Sequence, residues 1–368
     1  MIIESILNKV TLLLHNDKWV KICLFVSLFI LVLLFGVIFM YFKQETSRLV
    51  QGPLTQEQYS QKKQSFQQTT NQQDSRQQFE QKSVDFTPPT GKTTGPGQNG
   101  PWVMRLMSAK STDGLNFTRT NQVITDQGDV PDLAVDKNGK IYLYYVGWTV
   151  AGEQNKTVVA ISEDNGKTWI YKKLGLIGFE GGMAAAVDPD IQILDDGTFR
   201  LYVTSDPEDG QGPRTYYAEG KDGINFTKMG VAFSGSGRFV LDPSTLRTPS
   251  GWHFFAGVGG GGIEKGWHAT SEDGKTFTQQ EYKEFVKDGK GYIFTNAIAI
   301  PGGYRAYAFD NRTIVSFFST DGENWTAEDG VRLTLDPSSQ LETGVLKDPA
   351  VARLSDGSYL MVYVTKIP

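Results

Sequence analysis

A five-bladed all-β propeller is the fold this sequence predicts. Three observations predict it: a hairpin phrase that occurs five times, a strand pair that occurs five times, and the offset between the two series. The hairpin copies are Ser111-Thr-Asp-Gly-Leu-Asn-Phe117, Ser162-Glu-Asp-Asn-Gly-Lys-Thr-Trp169, Gly220-Lys-Asp-Gly-Ile-Asn-Phe226, Ser271-Glu-Asp-Gly-Lys-Thr-Phe277 and Ser319-Thr-Asp-Gly-Glu-Asn-Trp325. Their first residues stand 51, 58, 51 and 48 apart. A repeat of that length made of short strands is the period of a propeller blade. In each copy the Asp can hydrogen-bond its own turn, the Gly supplies positive φ, and the closing aromatic re-enters the sheet. The phrase is therefore read as structural, joining strands C and D of a blade.

Each strand pair reads as an inner strand A, a Gly turn, and a strand B rich in aromatic and β-branched residues. The turn glycines are Gly139, Gly197, Gly251, Gly303 and Gly357. The first hairpin precedes any strand pair, and the last strand pair has no hairpin after it. One ring accommodates both series if its last blade joins the two chain ends, which also removes an exposed sheet edge.

Outside the propeller, expected at 102–368, the chain divides into an N-terminal cytoplasmic or interfacial segment (1–21), a transmembrane helix (22–42) and a Gln/Ser/Thr-rich linker (43–101). Residues 22–42 form an uncharged run of 21 bracketed by Lys21 and Lys43, long enough to cross a hydrocarbon layer of roughly 30 Å. No small-residue cleavage site follows it, so it reads as a signal-anchor. Lys9, Lys18 and Lys21 before the span, against Lys43 and Arg48 after it, lean toward an N-terminus inside and a propeller outside the cytoplasm. The linker composition cannot bury a core. The single cysteine, Cys23, lies in the span, so no disulfide framework is present. A net charge of −5 argues against nucleic acid as the partner.

Blade topology sorts the candidate site residues. Strand A starts, D–A loops and B–C loops share one face, and all five hairpins lie on the other. Counted back from each A–B glycine, position −9 holds Val130, Asp188, Asp242, Phe294 and Asp348. Position −7 holds Asp132, Asp190, Ser244, Asn296 and Ala350. Two apart on a strand means the same side, so these acids are expected to converge near the axis. Crowded carboxylates raise one another's proton affinity, which general acid/base pairs require. Asp132, Asp188 and Asp242 form the candidate catalytic set. Asp129, Asp190, Glu180, Arg214, Trp148, Glu264 and Asp348 form the candidate binding set. No metal-ligand set and no cofactor are expected. The competing reading makes the acids turn caps, a calcium-holding group, or struts paired with the bases that begin strand C: Arg105, Lys156, Arg214, Lys265 and Arg312.

The combination of Asp-Pro strand starts and Ser-x-Asp-Gly-x-x-aromatic hairpins resembles the five-bladed glycoside hydrolases of the arabinanase, xylosidase and invertase type. The full-length hairpin from Ser162 to Trp169 is similar to the Asp-box of sialidases. The resemblance covers residues 102–368. It implies a blade 1 acid as base or nucleophile, Asp188 as a tuning and orienting carboxylate, and a blade 3 Glu as general acid. Here Val130 holds the blade 1 place, leaving Asp129 or Asp132, and Asp242 stands in blade 3. The expectation is a membrane-anchored propeller acting on a carbohydrate or glycoconjugate with paired carboxylates. The alternative is a non-catalytic propeller that binds a glycan or an envelope protein partner.

Overall fold

Each blade is organised around a strand that has no solvent face. In blade 1, Tyr142 and Tyr144 of strand B (Ile141–Val150) pack toward blade 2, whereas Leu143 and Tyr145 pack toward blade 5. Successive side chains on a strand point to opposite sides, so a continuously apolar run is buried on both. The structure, a computed structural model, describes residues 84–179, 186–258 and 265–368. The expected membrane span and the linker up to residue 83 lie outside the described residues, as do Glu180 and Glu264.

Blade 1 runs outward from strand A (Gly128–Val135) through B (Ile141–Val150) and C (Glu153–Ser162) to D (Ile170–Lys173). Blade 2 repeats the order with Val187–Ile193, Phe199–Ser205, Arg214–Gly220 and Asn225–Phe233. Blade 3 uses Val240–Thr248, Gly251–Val258, Trp267–Ser271 and Thr278–Gln279. Blade 4 uses Lys290–Ile300, Gly303–Phe309, Thr313–Ser319 and Thr326–Ala327. Blade 5 takes strands A (Thr343–Arg353) and B (Tyr359–Lys366) from the end of the chain, and C (Met104–Ser111) and D (Thr118–Asp126) from its beginning. Its closing pair is antiparallel, from Met104 opposite Lys366 to Ser111 opposite Tyr359. This is the closure that the offset between the two repeat series predicts.

Hydrophobic cores fill the seams between neighbouring blades. The hairpins then tie blade to blade. Tyr144 of blade 1 donates to the Gly223 carbonyl in the blade 2 hairpin at 2.6 Å, and Tyr202 of blade 2 does the same to Gly274 of blade 3. Tyr307 of blade 4 donates to Gly114 of blade 5 at 2.8 Å, with Arg305 bonded to the neighbouring Asp113 carbonyl. Within each tip the Asp accepts from its own turn, as Asp321 Oδ1 does from the backbone of Glu323 and Asn324.

The globular unit extends upstream of the boundary expected at 102. Val84 and Phe86 pair their backbones with Lys173 and Tyr171 on the outer strand of blade 1. Gln127 then donates to the Gly91 carbonyl, and the chain closes over Trp102, whose ring meets Trp148 edge-on at 4.9 Å. A Cβ at Gly95 or Gly100 would collide with that indole.

Every inner strand carries a β-bulge at the same place. Between Asp129 and Asp132, Val187 and Asp190, Leu241 and Ser244, Phe294 and Asn296, and Lys347 and Ala350, strand A holds one more residue than strand B opposite. In four blades the residue at position −9 is left-handed: Val130 (φ 45°), Asp188 (52°), Asp242 (51°) and Asp348 (45°). Asp tolerates that conformation and a β-branched residue does not. Val130→Asn is therefore expected to raise the unfolding free energy by about 1 kcal/mol, read by chemical denaturation. An unchanged or lower value would mean that burial of the valine side chain outweighs its backbone cost.

A candidate active site at the axial mouth

An extra residue in a strand shifts the phase of everything beyond it. Positions −9 and −7 therefore do not share a side, and the acids expected to form one cluster form two tiers. The tier at the mouth comprises Asp129, Asp188, Asp242 and Asp348, with Lys347 among them. Lys347 Nζ lies 2.6 Å from Asp129 Oδ1 and also bonds the Asp348 carboxylate. Among the described residues no Arg or Lys stands within ion-pair distance of Asp188 or Asp242. Four of the five bases that begin strand C are engaged elsewhere: Arg105 with Asp126, Lys156 with Glu153, Arg214 with Asp209 and Lys265 with Glu284.

Four carboxylates around one ammonium leave excess negative charge in a poorly solvated place. Burial pushes Asp188 up to about 6, and the charges of Asp129 and Asp348 add to the rise. Burial, then the charges of Asp188 and Asp348, hold Asp242 well above the ordinary carboxylate range. Burial also raises Asp348, against the pull of Lys347. Burial disfavours the charge on Lys347, but Asp129 and Asp348 more than offset it and keep its ammonium above the usual lysine range. Beside Asp242, between blades 3 and 4, opens a recess of about 200 Å³ lined by Phe255, Trp267, Phe285, Tyr292, Phe294 and Lys283, among others.

The deeper tier holds Asp132 and Asp190, and it joins blades. Asp132 Oδ2 accepts from the Ile191 backbone N–H at 2.8 Å, and its Oδ1 accepts from Asn296 Nδ2 at 3.1 Å. Asp190 accepts from the backbone and hydroxyl of Thr245. Asn296 in turn accepts from the Val351 N–H. Thus the −7 side chains of blades 1, 2 and 4 each clasp a neighbouring inner strand. Burial raises Asp132 to about 7 and Asp190 well above its ordinary range.

The expected convergence of Asp132 with Asp188 and Asp242 is therefore corrected. The bulge turns Asp132 into the channel that opens toward the A–B turns, where it lies with Val135, Ile193 and Arg353. Asp129 takes the blade 1 place at the mouth. Trp148 is buried against Trp102, and Arg214 is held in its own loop by Asp209 and Gln211, so neither is shown at the mouth. Lys347 was missed because the count stopped at −9. One position further back, Asp129 and Lys347 are the charged residues, and they sit on adjoining blades.

No family model matches the sequence, and no curated protein matches it. The fold is similar to that of a thermostable family-43 glycoside hydrolase, at 13% identity over 65% of this chain and 88% of that one, with a TM-score of 0.51. It is also similar to an N-acetylgalactosamine deacetylase from F. plautii in complex with blood group B trisaccharide, at 14% identity over 67% of this chain and 81% of that one (TM-score 0.50). A glycosyl hydrolase from Bacteroides ovatus matches at 16% identity over 66% and 86% of the two chains, with a TM-score of 0.45. At these identities the likeness is one of fold. The chain is a five-bladed β-propeller of the architecture found among glycoside hydrolases.

Proposed function

We propose that this propeller is a glycoside hydrolase working through the carboxylates at its axial mouth. The observation that carries the reading is the pair Asp188 and Asp242, buried together without a cation while Asp129 and Asp348 share Lys347. Crowding and burial raise the proton affinity of such carboxylates, which is what the general acid of this reaction needs. Asp242, whose burial and acidic neighbours favour its protonated form, gives its proton to the glycosidic oxygen as the bond to the anomeric carbon breaks. Asp129 takes a proton from the attacking water, or attacks the anomeric carbon itself. Asp188, buried beside Asp242, orients and tunes the acid. Asp132 supports the site from below by fixing blade 1 to blades 2 and 4. The recess beside Asp242 offers an apolar wall for the part of the glycan flanking the scissile bond.

We further propose that residues 22–42 anchor the chain in a membrane with the propeller outside the cytoplasm, as the charges flanking that run favour. Screening the full-length chain against aryl-glycoside and polysaccharide panels tests the activity. Release of a sugar that disappears in Asp242→Asn supports it; no cleavage of any glycan, or cleavage that survives the substitution, refutes it. Protease accessibility of the propeller in intact cells tests the orientation.

A further inference from the structure

Two of the three histidines in the chain meet in the seam between blades 3 and 4, outside the carboxylate mouth. His253 lies on strand B of blade 3 and His268 on strand C. Their rings are nearly parallel, 9° apart, and His253 Nδ1 stands 3.2 Å from His268 Nε2. Both residues are buried, at 6% and 1% exposure. The blade 4 hairpin brings Glu323 to them, with Oε2 3.7 Å from His253 Nδ1 and Oε1 3.9 Å from His268 Nδ1. Those separations are too long for hydrogen bonds, and His268 Nδ1 is buried without a partner. An unmet buried nitrogen is costly in a seam otherwise filled by aromatic and aliphatic side chains.

We propose that His253, His268 and Glu323 form a binding site for a zinc-like divalent cation, with Lys283 holding Glu323 until the ion displaces it. The three donor atoms lie within 4.8 Å of one another. A four-coordinate ion with bonds of 2.0–2.1 Å needs donors about 3.3 Å apart. The Glu323 side chain, 39% exposed, has room to make that adjustment. Its present partner is Lys283 Nζ at 2.7 Å. Two imidazoles and one carboxylate are the donor set of open zinc sites, in which water or a ligand takes the fourth position. Here that position is reached from a cavity of about 830 Å³, lined by His253 and Glu323 together with Trp252, Thr270 and Gln280.

The full-length chain, stripped with a chelator, should bind one Zn²⁺ by calorimetry and melt at a higher temperature in its presence. Co²⁺ in its place should give the visible absorption of a four-coordinate site. Glu323→Gln should weaken Zn²⁺ at least as much as the roughly 10–100-fold lost when even an outer-shell partner is removed. Lys283→Met should tighten it by removing the competitor for Glu323. His253→Gln should weaken it as Glu323→Gln does. If the histidine variant fails to fold, the two variants at partly exposed positions still decide the matter. No binding by the parent chain, or equal affinity in the parent and Glu323→Gln, overturns the site.

Discussion

Asp242→Asn is expected to lower glycan turnover by at least about 100-fold while the propeller stays folded. Asp188→Asn should also impair turnover, and should make the domain more stable at neutral pH. The sign follows from the direction of the shift. The folded-state value of Asp188 is raised from 3.8 to about 6, so the native protein holds this proton more tightly than the unfolded chain. That contribution to stability is present below about pH 4 and is lost as pH rises through about 6. The displacement corresponds to about 3 kcal/mol, an upper bound for a side chain with some solvent access. Asn keeps the shape without the ionisation, so the variant should gain on the parent between pH 4 and 7. Denaturation at the two pH values, run beside turnover, checks both halves. A variant destabilised at pH 7, or one that retains activity, would make Asp188 a strut and return the mouth to the binding reading.

This pairing of lost activity with gained stability is what a site built from crowded acids implies, because the fold bears the cost of charges that only the chemistry uses. It also separates the two tiers. Asp132 and Asp190 are buried acids as well, but each accepts hydrogen bonds from a neighbouring strand. Replacing them would break a contact between blades as well as remove a charge.

Fold and site differed in how much of each could be read from the residues. The blades were legible because turn chemistry and alternation are local: Gly114, Gly223, Gly274 and Gly322 all take the positive φ that their phrase requires. Closure by both ends was legible because it is a question of counting. The bulge was not, since a residue before Pro at a strand start, Asp in blades 2, 3 and 5 and Val130 in blade 1, reads equally as part of a turn and as a left-handed extra residue. That single ambiguity changed the side on which Asp132 lies and exchanged it for Asp129. Trp148 lies near the end of strand B and Arg214 begins strand C. What became of them depended on Trp102 and Asp209, one distant in sequence and one in the adjoining loop, neither implied by the blade pattern. The attachment of residues 84–102 was hidden by a Thr-, Pro- and Gly-rich composition in which two aromatic side chains, Phe86 and Trp102, do the anchoring.

Lys347→Met is expected to cost about 3–5 kcal/mol at pH 7, the usual penalty for removing one partner of a buried ion pair. Methionine keeps most of the lysine stem, so the change is chiefly one of charge. The folded-state value of Lys347 is raised above 10.5, so its stabilising contribution is complete below the unfolded value and fades only as pH climbs past the folded one. At pH 7 all of it is at stake. Without the ammonium, Asp129 and Asp348 face Asp188 and Asp242 with no counter-charge, and protonation is the relief left to them. The deficit of the variant should therefore shrink between pH 7 and pH 4. Adding Asp348→Asn to Lys347→Met should restore part of the loss at pH 7, giving a coupling that a double-mutant cycle can measure. A loss of equal size at both pH values, with no coupling to Asp348, would place the role of Lys347 in the packing of its methylenes, and the mouth would not be the strained cluster of charge from which the catalytic reading is argued.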